Sequence, residues 1–220
     1  MIALTSMFDP ASFLQQLAIL AVPVLMAITF HEVAHGYVAY ILGDPTAKNA
    51  GRLTLNPIKH LDPIGTIALF LVKVGWAKPV PVNPNYFLNP RQGMILVSVA
   101  GPAANFILAV LFSLLFHSLV WFVGTNSGSS SASGLLQPVL YMAQAGVLVN
   151  IGLGVFNLLP VPPLDGSNIL AGILPPQLAQ SYMQISKYGF IILILLILTG
   201  AVQKVVLPVI YTLASWLLPM

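Results

Sequence analysis

Long runs of apolar residues, broken by short polar or proline-rich stretches, organise this chain. Apolar stretches fall at about 13–42, 92–123, 135–159 and 188–203, with a further one at about 205–218. Each of the first three exceeds the ~20 helical residues needed to cross a bilayer, which predicts membrane-spanning helices. The tail is interrupted by Gly200, Lys204 and Pro208, so it reads either as one kinked span or as a span followed by an interfacial helix. Ile64–Ala77 is apolar too, but it has only fourteen residues, contains Lys73 and Gly75, and runs into Lys78-Pro79-Val80-Pro81-Val82-Asn83-Pro84. At 1.5 Å per residue it cannot cross a core of about 30 Å, and it is expected to be a re-entrant or interfacial element lining a cavity. The expected fold is therefore an all-α polytopic membrane protein. It has a core of three transmembrane helices, a re-entrant or β-loop element after the first helix, and one or two C-terminal membrane segments at about 186–218.

Composition agrees with a lipid environment. Hydrophobic residues make up 58% and charged residues 6%, with a mean hydropathy of +0.93; a soluble domain needs a charged surface that this chain lacks. The net charge of +3 does not form a basic face, so no nucleic-acid partner is expected. The basic residues instead report topology: Gly43–Arg91 carries Lys48, Arg52, Lys59, Lys73, Lys78 and Arg91, whereas the Ser/Gly-rich turn Gly124–Gly134 carries none. By the positive-inside rule the first loop is cytoplasmic and the second external, which places the N-terminus outside. Met1–Pro10 has no Lys or Arg and leads into a stretch too long for a signal-peptide core, so no cleaved leader is expected. With no cysteine, any metal must be held by His, Asp or Glu.

The chain's single glutamate lies between two of its four histidines, in His31-Glu32-Val33-Ala34-His35, within the first apolar stretch. Residues i and i+4 share a helix face, so His31 and His35 can meet one metal ion. Glu32 would stand beside it, placed to take a proton from a metal-bound water whose pKa zinc lowers from about 15.7 to roughly 7. This is the H-E-x-x-H pattern of zinc hydrolases. Paired histidines alone could be partners at a helix interface. An acid in a membrane span, costing about 3 kcal/mol on insertion scales, makes that reading expensive.

A catalytic zinc takes three protein ligands and keeps one position open. Of the remaining acids, Asp9, Asp44, Asp62 and Asp165, Asp165 follows Pro160, Pro162 and Pro163 just beyond the third span. There it reaches the same side of the membrane that His35 approaches. Alone, it could be a turn acid before Gly166. Asp44-Pro45 and Asp62-Pro63 read as turns, His60 as a loop residue and His117 as a helix-end residue. Asn157 and Asn105 could satisfy helix-end or interhelical backbone groups, or serve a cleft.

H-E-x-x-H in a membrane helix followed by Asn157-x-x-Pro160-x-x-x-Leu164-Asp165-Gly166 resembles the site-2 proteases, the intramembrane zinc metalloproteases of peptidase family M50. Gly101-Pro102-Ala103-Ala104-Asn105 is similar to a glycine-proline-asparagine motif of that family. Gly75-Trp76-Ala77-Lys78-Pro79-Val80-Pro81-Val82 resembles the membrane-associated β-loop of its small bacterial members. The likeness spans about residues 13–170 of what reads as a single domain over 1–220, with no PDZ or CBS domain expected.

The resemblance implies one Zn2+ per chain on His31, His35 and Asp165, with Glu32 as general base. It also implies substrate contacts from Asn157, Asn105, Trp76 and Val80, and a transmembrane protein substrate cut within or near its span. The implied location is a bacterial cytoplasmic membrane, with the site toward the cytoplasm. The alternative class is a metal transporter or zinc-binding membrane protein, which would need ligands strung along a path, often in two repeats; a single cluster is found. Haem is disfavoured because His31 and His35 on one face cannot take opposite axial positions.

Overall fold

The computed structural model describes residues 10–72, 75–125 and 130–219. Lys73, most of the N-terminal segment and part of the uncharged turn (126–129) lie outside the described residues. The described chain forms nine α-helices: α1 Pro10–Ile41, α2 Thr46–Asn49, α3 Pro63–Val72, α4 Pro90–Thr125, α5 Ser130–Asn157, α6 Asp165–Ile173, α7 Pro176–Gln184, α8 Gly189–Leu198 and α9 Ala201–Leu217. Among the described residues, four stretches are long and apolar enough to cross a membrane: Gln15–Ile41, Pro90–Thr125, Leu136–Asn157 and Pro176–Leu198. This is an all-helical integral membrane protein.

Helices α1, α4 and α5 pack on one another. On α1 the buried stripe runs Pro23, Ala27, His31, His35 and Ala39, a four-residue spacing that keeps one face toward its neighbours. The two histidines are part of that stripe, so their placement and the packing of the helix are one fact. Leu108, Phe112 and Phe116 of α4 meet Ala143, Val147 and Ile151 of α5, with Ala214 and Leu218 from the end of the chain, in an apolar core beyond the histidines. Gly146 gives the Phe112 ring its place, since a Cβ there would lie 2.4 Å from the ring.

The fourth span begins earlier than the apolar pattern implies. It starts at Pro176 rather than Tyr188, because α7, a short 3-10 turn over Ile185–Tyr188 and α8 follow one another without a break. Gln177, Gln180 and Gln184 mask that continuity in the hydropathy pattern. The chain breaks instead at Gly200, whose φ of 75° is left-handed and favours glycine. Helix α9 then packs against α5.

Between α1 and α4 the chain is compactly folded. Helix α3, at ten residues, is about 15 Å long, half a bilayer core. After it the chain from Gly75 to Asn83 runs without helix as a strap. Among the described residues no β-strand forms; the strap's ladder contact is one isolated antiparallel bridge, Leu61 to Ala77. Prolines at 79, 81 and 84 remove the donors that a longer ladder would need.

Candidate metal centre

Three side chains converge where α1 passes the start of α6. His31 Nε2 and His35 Nε2 are 3.0 Å apart, and each approaches Asp165 Oδ2, at 3.2 Å and 3.3 Å. Zinc bonds of about 2.0–2.2 Å at tetrahedral angles put neighbouring ligand atoms about 3.3 Å apart. The triangle thus has the dimensions of one face of a zinc coordination shell. Asp165 Oδ2 is buried with no hydrogen-bond donor, a costly condition for a carboxylate unless a cation accepts it. The residues present fit the metal.

Local sequence explains each position. Asp165 is the first residue of α6, where a carboxylate complements the helix dipole. This differs from the irregular backbone expected on the prolines, which occupies 158–164 and ends one residue earlier. The other end of α6 is held by Arg91 at the start of α4: its Nε donates to Gly172 O at 2.6 Å and its Nη2 to Leu174 O. Gly166 allows the turn to close over the helix start, since a Cβ there would lie 2.2 Å from Leu158 O.

Helix α4 supplies the floor. A Cβ on Gly101 would lie 2.4 Å from His35 Nε2 and 2.6 Å from His31 Cε1, so only glycine lets the two imidazoles lie on this helix. His35 Nδ1 donates to Val97 O at 2.7 Å. His31 Nδ1 meets Asn105 Oδ1 at 2.7 Å, and Asn105 Nδ2 donates to Ala27 O and to Asn150 Oδ1.

Glu32 lies beside the cluster, and its Oε2 accepts from the backbone N–H of Val80 at 2.8 Å. The strap is fastened from below by the 43–62 segment. Arg52 donates to Lys78 O (2.6 Å) and Pro79 O (3.1 Å), His60 O accepts from Lys78 N (2.9 Å), and Asp44 Oδ2 accepts from Asn83 N (2.6 Å). Burial works to raise the Asp44 carboxyl, but the Thr46 hydroxyl and the Asn83 and Thr46 amides outweigh it and hold it below the usual carboxylate range.

Of the residues singled out from sequence, His31, His35, Asp165 and Glu32 meet at one place. Asn105 is fully buried behind His31. Val80 is at the site through its backbone, and Trp76 is exposed, with its ring edge-on to Phe190 of α8 at 5.8 Å. Asn157 turns its amide back to Leu153 O, one turn up its own helix. Sequence reasoning passes over Asn150, Asp44, Arg52 and His60 as parts of the site. An amide within an apolar span is the signal that could have marked Asn150, though Gln137, Gln144 and Asn157 share it; nothing local marks the other three, whose partners in the strap lie at least 18 residues away.

The chain matches peptidase family M50 over residues 19–199. It belongs to that family. This M50 chain is 44% identical over 190 residues to "Putative zinc metalloprotease YwhC" of Bacillus subtilis, covering 86% of the chain and 84% of that protein. It is 31% identical to "Putative zinc metalloprotease Rip2" of Mycolicibacterium smegmatis, covering 82% of the chain and 66% of the relative. With "Zinc metalloprotease MJ0392" of Methanocaldococcus jannaschii it shares 28% identity over 79% of the chain and 37% of that protein. No solved structure matches this M50 chain.

Proposed function

We propose that this M50 protein is an intramembrane metalloendopeptidase of the site-2 type, hydrolysing peptide bonds within or next to transmembrane segments of other membrane proteins. The observation that carries this reading is the convergence of His31, His35 and Asp165, with Glu32 beside them, on a membrane-spanning helix. His31, His35 and Asp165 would hold a zinc ion, which when bound would supply a Lewis acid for the scissile carbonyl and lower the pKa of a water to about 7. Glu32 takes the water's proton and returns it to the leaving amine nitrogen. Gly101 keeps the imidazoles close to α4, and Arg91 holds the helix that presents Asp165.

The strap is the candidate substrate platform, with Trp76 and Val80 nearest a bound segment and Asn157, at the end of α5, as a further candidate contact. Its backbone groups from Ala77 to Val80 are engaged by Leu61, His60, Arg52 and Glu32. A peptide that pairs at the Val80 N–H takes that donor over from Glu32, which would couple substrate arrival to release of the base. The basic residues of 43–91 favour a cytoplasmic position for this side, in a bacterial inner membrane with the N-terminus outside. A transporter reading gains nothing from Glu32, since transport needs no proton acceptor for water.

The test is cleavage of a single-span reporter protein co-reconstituted with the purified protein in liposomes, with the cut located by mass spectrometry. The reading expects a zinc-dependent cut in or beside the span, absent with Glu32→Gln. A zinc-loaded wild type that cuts only soluble peptides, or a Glu32→Gln variant that still cuts the reporter, would refute it.

A further inference from the structure

The hydrogen bonds behind His31 have only one consistent direction. A carbonyl oxygen cannot donate, so the 2.9 Å contact of Asn150 with Gly146 O is made by its NH2 group, which leaves Oδ1 facing Asn105. Asn105 likewise has to present its NH2 group to Ala27 O at 3.1 Å and to Asn150 Oδ1 at 3.0 Å, using both protons. Its Oδ1 then faces His31 Nδ1 at 2.7 Å. An acceptor there requires the proton to sit on Nδ1, so Nε2 keeps its lone pair for the cluster. Both asparagines are 0% exposed, so no bulk water compensates an inverted amide; inverting Asn105 would set its Oδ1 against two oxygens, and inverting Asn150 would set its Oδ1 against Gly146 O.

We infer that Asn150, acting through Asn105, is a positioning residue that fixes the tautomer of His31 and thereby the metal affinity of the site. The relay crosses from α5 through α4 to α1, joining residues 45 and 74 positions apart, and the metal-facing atom of the cluster is set by a residue that never reaches it. His35 obtains the same setting separately, from Val97 O. The inference rests on the reading of His31, His35 and Asp165 as metal ligands.

Zinc affinity of the detergent-purified protein, measured by competition with a chelator, tests it, alongside thermal stability of the metal-free form. Asn105→Leu removes the acceptor and should weaken zinc binding about 10–100-fold, the usual range for such supporting groups. Asn150→Leu leaves Ala27 O as the one remaining constraint on the Asn105 amide and should weaken it by a smaller factor, roughly tenfold. Asn150→Asp keeps an oxygen for the Asn105 NH2 group, so its affinity should stay within about twofold of wild type even where its stability falls. A merely structural role predicts the opposite, affinity following stability in both Asn150 variants. Should Asn150→Leu fail to fold, Asn150→Ser, with a side chain too short to reach Asn105, takes its place with the same expectation. Equal zinc affinity in wild type, Asn105→Leu and the Asn150 variants would overturn the inference, as would equal loss in Asn150→Asp and Asn150→Leu. A wild type that binds no zinc would instead overturn the metal reading on which it stands.

Discussion

Gly101 carries as sharp a constraint as any side chain at the site, because the space a methyl would take is filled by the two imidazoles. Gly101→Ala should displace His35 and His31 from α4 and lower zinc content severely, while an alanine in an exposed helix position would be neutral or stabilising. Zinc per chain by elemental analysis checks this, and a variant with full zinc would show that the rings have room to retreat. His31, Glu32 and His35 are legible in the sequence because their chemistry and their helical spacing coincide within five residues. Asp165 is legible because so few acids remain. Asn150, Asp44, Arg52 and His60 are not, since the partners that tie them to the site are remote and each looks locally like an ordinary interface or loop residue.

At the scale of elements, the strap depends on Arg52 more than on its own sequence. Arg52→Ala would remove the two charge-assisted hydrogen bonds that the carbonyls of Lys78 and Pro79 accept, leaving these exposed residues to water. Hydrogen exchange at the Val80 amide should accelerate about tenfold or more; unchanged exchange would mean that Glu32, His60 and Asp44 hold the strap without Arg52. Asp44 makes the other anchor pH-dependent in a defined direction. Its pKa is lowered in the folded protein, so its contribution is complete above the ordinary carboxylate value of about 3.9 and fades as pH falls through the lowered value. The strap should thus stay fastened through neutral and mildly acid conditions, and Asp44→Asn should loosen it at neutral pH, read as faster exchange at the Asn83 amide. Long apolar runs predict α1, α4 and α5 well because nothing competes with helix in lipid. The start of α7 and the folding of 43–89 follow from side chains meeting across long separations, which hydropathy does not encode.

At the scale of the whole molecule, orientation rests on the contrast between the basic segment Gly43–Arg91 and the uncharged turn Gly124–Gly134. A cysteine at Ser129 should react with an impermeant reagent applied to intact cells and one at Asn49 should not; the reverse pattern would invert the protein in the membrane. The account as a whole stands on one zinc ion shared by α1 and α6 and served by Glu32. Its most direct test is the zinc content of the purified, detergent-solubilised protein in wild type, Asp165→Ala and Glu32→Gln. The account predicts one zinc per chain in wild type, loss of most of it in Asp165→Ala and near-complete retention in Glu32→Gln. Full zinc in Asp165→Ala, or none in wild type, would contradict it.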